Sequence, residues 1–308
     1  MKVFRNLAEL KFSVDNVVTT GVFDGVHLGH KHVIDSLVLS AKKSKLESSI
    51  LTFSPHPRIV LQQNTDLKLL NELDEKIHLL EKTGVDNLIV IPFTKEFAKL
   101  SSLDFVKEVL ANKLSTKKLI IGYDHHFGRN REGSFEHLLE YGPLYGFDVE
   151  EIPAQNVNEI KVSSTEIRLA LESGEVKKAE KLLGYKYFLG GKVVKGKQIG
   201  STLGFPTANI EIGDQYKLIP SKGVYAVEVK IDGEMHKGML NIGVRPTFSN
   251  ENEISIEVNL FDFNKDIYGK ELMVVFVDRV REEKAFASSD DLVTQLKKDS
   301  VNCIKVLR

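Results

Sequence analysis

The chain has 308 residues, 42% hydrophobic and 28% charged, an ordinary globular composition at about twice the usual domain size. Forty-two basic residues against 43 acidic ones leave a net charge of −1, so no overall basic field exists to hold a nucleic-acid backbone or an anionic membrane, and any phosphate site must be local. One cysteine, Cys303, excludes an internal disulfide and a multi-cysteine zinc cluster. No signal-like apolar core opens the chain and no run of about 18 apolar residues occurs, so a cytoplasmic two-domain protein with small-molecule partners is expected; the sequence assigns no oligomeric state.

Residues 17–23, 49–53, 87–92, 118–122 and 147–152 read as short strands, several apolar without alternation, as in strands buried on both faces. Helical periodicity separates them over 30–43, 72–82 and 102–113. Leu73, Ile77 and Leu80 share one face of the second, and Ser101 with Asp104 forms a cap for the third. Such alternation predicts a doubly wound parallel sheet with right-handed crossovers. A last helical stretch, 165–183, closes this half, and the pattern changes near residue 184, which gives domains over 1–183 and 184–308. Beyond it, residues 191–194, 223–231, 235–243, 254–260 and 271–280 are β-like, with turn signals at Asp232-Gly233 and Tyr268-Gly269. An antiparallel barrel or sandwich of roughly six strands follows, with a capped amphipathic helix over 288–300 packed on it.

The stretch TTGVFDGVHLGHKHVI, residues 19–34, sets a glycine-rich turn between a strand and a helix. His27 and His30 fall about one helical turn apart at the amino end of that helix, where free N–H groups and the dipole favour an anion and glycines allow close approach. With His32 the two could instead ligate a metal, although no acidic or cysteine partner is spaced to complete the shell, and packing histidines are a third possibility. Farther on, GGKVVKGKQ approximates a phosphate loop but fails: Gln198 stands where Ser or Thr binds magnesium, and no helix follows.

GVFDGVHLGH resembles the HxGH signature of the nucleotidylyltransferases, in the form found in bacterial bifunctional riboflavin kinase/FAD synthetases. LTFSPHP (51–57), IGYDHHFGRNREG (121–133) and VSSTEIR (162–168) are similar to further motifs of that family, in the family's order. VSSTEIR also reads as a capping box of Ser163 and Glu166, and His56 between two prolines also reads as part of a stiffened loop. The resemblance implies that His27 and His30 stabilise charge on the ATP phosphates. It places nucleotide contacts at Gly21, Phe23, Asp24, Gly25, Gly29, Ser163, Ser164, Thr165 and Arg168, and flavin contacts at Asp124 and Phe127. His125 stands where the family usually has Phe.

In the second half, Gly200, Gly204 and Pro206-Thr207-Ala208-Asn209 resemble the GxxxGxPTAN motif of riboflavin kinases, GMLNIGVRPTF (238–248) their NxGxRPTF, and residues 254–272 their ExHxxDF run. The match implies a riboflavin-kinase-like six-stranded barrel with nucleotide contacts at Gly200 and Gly204, Mg²⁺ held through Thr207 and Asn209, flavin contact at Arg245 and Glu257 as the base. Asn259 replaces the family's usual His. An outward solvated carboxylate is the plainer reading of Glu257, which shares a strand face with Ser255 and Asn259. The whole implies phosphorylation of riboflavin to FMN by ATP, then adenylylation of FMN to FAD with release of pyrophosphate. A different HxGH nucleotidylyltransferase and a non-catalytic flavin-binding regulator are the alternatives.

Overall fold

The computed structural model describes residues 1–10, 14–62, 66–123, 126–154, 156–157, 160–196, 200, 203–245 and 253–308. They form two compact units, Met1–Ser164 and Thr165–Arg308.

The first unit is a parallel sheet of β1 (Lys2–Phe4), β2 (Asn16–Thr20), β3 (Glu47–Ser54), β4 (Asn87–Pro92), β5 (Thr116–Gly122) and β6 (Asp148–Ile152), in the order β1-β4-β3-β2-β5-β6. Neighbouring residues such as Val17 and Val18, Ile50 and Leu51, and Leu88 and Ile89 are all buried, so both sheet faces are covered. The chain winds from β2 through β3 to β4 on one side and returns to β5 and β6 on the other. Ligand crevices in such sheets open at the carboxyl ends of the strands flanking the reversal, here β2 and β5.

Helix α1 (Leu28–Ser44) follows β2, α2 (Pro57–Leu61) follows β3, and α3 (Leu73–Glu81) precedes β4. Ser101 caps α4 (Ser102–Asp104), which runs on as a π-helical stretch, Phe105–Lys113, where an ordinary helix was expected. Its Phe105, Val106, Val109 and Leu110 are buried. The short edge strand β1 and helix α5 (Phe135–Tyr145) carry no strong periodic signal; α5 contains Pro143.

A small hairpin, β7 (Asn156–Val157) with β8 (Ile160–Lys161), leads to α6 (Ser164–Glu172) and α7 (Val176–Leu183). These two were expected as one helix. Gly174, at φ 77°, ends the first, its amide bonding the Leu171 carbonyl and the Glu175 amide the Ala170 carbonyl. The Ser221 amide bonds the Leu171 carbonyl at 3.0 Å and Lys177 meets Asp278 at 2.6 Å, so both helices pack with the barrel in the second compact unit.

The barrel is closed and antiparallel: β10 (Ala208–Glu211), β13 (Glu253–Leu260), β12 (Glu234–Arg245), β11 (Gly223–Ile231), β14 (Glu271–Arg281) and β9 (Phe188–Val194), with β9 pairing back to β10. Closure removes the exposed edges of an open sheet. Helix α8 (Ser289–Val306), capped by Ser288, packs on β11, β12 and β14. Asp299 of α8 is 1% exposed and pairs with Arg281 at 2.8 Å and with Gln295 at 2.8 Å. Burial, then the Asp299 charge, pushes the Cys303 thiol up to about 12, so it stays protonated and unreactive. Asp299→Ala leaves Arg281 without its partner. It is expected to destabilise the barrel unit by about 3 kcal/mol, the low end for a broken buried pair because Arg281 keeps some solvent contact, read as a lower urea midpoint.

Candidate active sites

The turn between β2 and α1 lies at the sheet's reversal. The strand stops at Thr20, so Gly21 to Phe23 belong to the turn and not, as expected, to the strand; Phe23 sits at φ 52°, outside any strand conformation. Val26 is also left-handed, at φ 37°. Each such residue costs about 1–3 kcal/mol and persists only where its surroundings fix it. Here they do. The Val22 carbonyl accepts from Thr52 Oγ1 at 3.1 Å and Lys76 Nζ at 2.7 Å, and Asp24 Oδ1 accepts from the Leu70 and Asn71 amides at 2.9 and 3.3 Å. Ser164 Oγ donates to the Asp24 carbonyl at 2.8 Å, which brings the VSST segment to this turn.

His27 is the N-cap of α1, its Nδ1 accepting the His30 amide at 3.3 Å. An accepting Nδ1 puts the proton of the neutral ring on Nε2. The two imidazoles stack, centroids 3.6 Å apart and planes at 14°, and the Phe23 ring meets His30 edge-on at 5.1 Å. Gly29 makes room: a Cβ there would lie 3.2 Å from His27 Cε1 and Nδ1. Burial first, then the neighbouring His27 and Lys76, hold His30 well below the usual histidine range, and its Nδ1 is buried without a hydrogen-bond partner among the described residues. The corner is therefore a stacked pair of imidazoles, with His30 held neutral by burial, beside a helix amino end and with donors suited to an anion. No cluster of three or more His, Cys, Asp or Glu able to hold a metal occurs among the described residues, and nothing supports the His27–His30–His32 alternative.

In the barrel, Thr207 Oγ1 donates to Glu257 Oε2 at 3.1 Å. Glu257 of β13 stands opposite Asn209 of β10 on one side and Asn241 of β12 on the other, so the three side chains share one barrel face. Asn259, also on β13, donates to the Pro206 carbonyl at 2.7 Å. The Gly200 carbonyl accepts from the Leu203 and Phe205 amides at 3.1 and 2.9 Å, and a Cβ on Gly200 would strike the Phe205 carbonyl. Gly196 passes so close to the Asn209 side chain that it has no room for a Cβ, and Gly204 is left-handed at φ 80°.

Several expected residues stand elsewhere. Phe127 is 7% exposed, packed in the core of the first unit against Phe105 with ring centroids 5.8 Å apart, and a Cβ on Gly133 would touch its ring. Its ring is thus spent on packing. His56 caps α2, accepting the Arg58 amide at 3.0 Å. Asp124 and His125 lie outside the described residues, and of Arg245 only the strand position, opposite Glu253, is described. Ser163 directly precedes α6, and Thr165 and Arg168 lie in its first two turns. Sequence reading missed Lys76, buried on α3 at three residues from Leu73 and four from Leu80. A lysine within that apolar stripe was the available signal.

A doubly wound parallel sheet with a histidine-paired anion corner at its reversal, followed by a closed antiparallel barrel with a Thr–Glu–Asn row, defines a two-part nucleotidyl- and phosphoryl-transfer class of protein. The first part matches the family model for FAD synthetase over residues 10–166 and the second that for riboflavin kinase over residues 183–307. The chain is 39% identical to the bifunctional riboflavin kinase/FMN adenylyltransferase of Listeria monocytogenes, over 93% of this chain and 90% of that one. It is 36% identical to that of Escherichia coli, over 98% and 96%. A crystal structure from Streptococcus pneumoniae titled as a macrolide-efflux protein matches with a TM-score of 0.89 at 34% identity, over 97% and 96% of the two chains. The chain belongs to the bifunctional riboflavin kinase/FAD synthetase family.

The neutral His30 has a measurable sign. With its pKa lowered in the folded state, the unfolded chain binds the proton more tightly, so the first unit loses stability as pH falls below the ordinary value of 6.5. NMR titration is expected to show no His30 inflection near 6.5, and His30→Gln to lessen the acid-side loss in denaturation experiments.

Proposed function

We propose that this chain makes FMN and then FAD: its barrel transfers the γ-phosphoryl group of ATP to riboflavin, and its parallel-sheet unit transfers the adenylyl group of a second ATP to FMN. The work divides between residues 1–183 and 184–308. The observation that carries the reading is the pair of constellations in one chain: stacked His27 and His30 at the sheet's reversal, and Thr207 bonded to Glu257 in the barrel.

In the barrel, Glu257 takes the proton of the riboflavin 5′-hydroxyl. The new O–P bond forms at the γ-phosphorus as the β–γ bridge breaks, leaving FMN and ADP. Glu257 is half-buried and reaches Thr207, so both can work on one substrate oxygen. The donor set of this corner, a hydroxyl, two amide side chains and one carboxylate, is all hard oxygen and suits Mg²⁺, which takes few protein ligands and several from phosphate and water. Thr207 and Asn209 would hold it, and when bound it would neutralise charge on the nucleotide's phosphates. Asn259 fixes the turn that carries Thr207, so its replacement of histidine does not disarm the site.

In the sheet unit, an FMN phosphate oxygen attacks the α-phosphorus and the α–β bridge breaks, releasing pyrophosphate. His27 Nε2–H and the His30 ring donate to the charge that builds on the phosphates, Ser163 and Ser164 grip the triphosphate, and Gly21, Phe23, Gly25 and Gly29 let it approach the backbone. Asp24 acts behind the turn, bonding the Leu70 and Asn71 amides. Efflux gains no support from the site chemistry, and no helix among the described residues is long and apolar enough to cross a membrane.

Incubation with riboflavin, ATP and Mg²⁺, with FMN and FAD separated over time, tests the reading directly; absence of both products overturns it. His27→Ala or His30→Ala is expected to slow FAD formation by about 100- to 1,000-fold, the cost of one preorganised donor, while sparing FMN formation. Glu257→Ala is expected to slow FMN formation by about 100- to 10,000-fold while FAD still forms from supplied FMN.

A further inference from the structure

The turn that faces the anion corner is gripped from behind by a charge that no motif assigns. Lys76 of α3 is 6% exposed, and its ammonium makes one hydrogen bond among the described residues, to the Val22 carbonyl. Burial draws its pKa down and the Asp24 carboxylate draws it back up. It lies near enough to His30 to oppose protonation of that ring. Asp24 also accepts from two backbone amides, which hold its carboxylate in place behind the turn. Among the described Asp, Glu, Lys and Arg residues of the first unit, Asp24 and Lys76 are the two that are buried.

Peptide geometry supplies the rest. In a planar trans peptide the carbonyl and the next N–H point in opposite directions. Thr52 and Lys76 hold the Val22 carbonyl to the rear, so the Phe23 N–H faces the other way, at a residue whose φ of 52° the chain would not otherwise adopt. Donation to a carbonyl also polarises the N–H of the same peptide.

We propose that Lys76 is a positioning residue for adenylyl transfer: a buried cation that sets the Val22–Phe23 peptide with its N–H toward the β- and γ-phosphates, and supplies fixed positive charge behind that turn. The inference rests on the assignment of adenylyl transfer to the His27–His30 corner. It requires no contact between lysine and nucleotide. In a low-dielectric interior a charge acts across several ångströms with little screening.

The test runs the reaction backward, FAD with pyrophosphate giving FMN and ATP, because pyrophosphate reads the phosphate subsite without involving the barrel. Full-length Lys76→Met, Lys76→Gln and Lys76→Arg are compared with the parent chain, with thermal melting as the check on folding. Lys76→Met and Lys76→Gln are expected to raise the KM for pyrophosphate by about 10- to 100-fold, the worth of one charge-assisted interaction. Lys76→Arg, still cationic, is expected to recover most of it, and the riboflavin kinase rate is expected to be unchanged in all three. A Lys76→Gln protein with parental KM would overturn the proposal, since glutamine keeps a donor and loses the charge; so would a Lys76→Arg protein as weak as Lys76→Met while folded. If the parent chain neither makes FAD from FMN nor runs the reverse reaction, the assignment of the corner fails instead.

Discussion

A strained turn held from behind is the constraint on which the first site depends. The chain between β2 and α1 passes through two left-handed residues, Phe23 and Val26, in place of a regular strand or helix. Neither is a residue that visits this region without help. The bonds from Thr52, Lys76, Leu70, Asn71 and Ser164 all arrive on the turn's carbonyls or on the Asp24 carboxylate. The turn's own amides at Gly21 and Val26 bond the Leu51 and Phe23 carbonyls at 3.0 and 3.3 Å. This bracing from behind, more than any single side chain, suits the corner to the phosphate role proposed for it, and the histidines add ring donors, with burial holding His30 below the usual histidine range.

The barrel reaches a comparable end by another route. Strand β13 offers two side chains on one face, two residues apart, and both take hold of the same segment: Glu257 through the Thr207 hydroxyl, Asn259 through the Pro206 carbonyl. Because β13 sits between β10 and β12 in a closed sheet, its register is fixed from both sides, and a one-residue slip would turn Glu257 away from Asn209 and Asn241 together. The glycines at 196 and 200 serve this packing, leaving room for the Asn209 side chain and the Phe205 carbonyl.

Much of this was legible in the residues. Unalternated apolar runs gave away a parallel sheet buried on both faces, and the glycine-histidine stretch marked the turn at its reversal, because both signals are local. What escaped notice was non-local or fell below the period. Three residues of β1 are too few to show a pattern and gain their strand from pairing with β4. The π-helical stretch keeps an apolar spacing that a normal helix also satisfies. Phe127 carries a motif position yet fills the core, since a motif specifies residue type and not which way the side chain turns. Lys76 was passed over because helical periodicity counts apolar residues and treats a lysine among them as noise. Its meaning comes from Val22, 54 residues earlier in the chain.

With a net charge of −1, the protein has no general field to draw a triphosphate, and the two units resolve this in opposite ways. The sheet unit ties its buried Asp24 carboxylate to two amides, sets the buried Lys76 near it, and presents a stacked pair of imidazoles. The barrel keeps a carboxylate, Glu257, at the centre of its polar row, where it would repel polyphosphate. A base must be there if a hydroxyl is to attack, whereas an FMN phosphate already arrives as an anion and needs none. On the proposed reading the chemistry of the two nucleophiles accounts for the difference between the sites: the barrel would need a countercharge, as Mg²⁺ would supply, to tolerate its own base, and the sheet unit, having no base to tolerate, would rely on the turn, its buried lysine and the imidazoles.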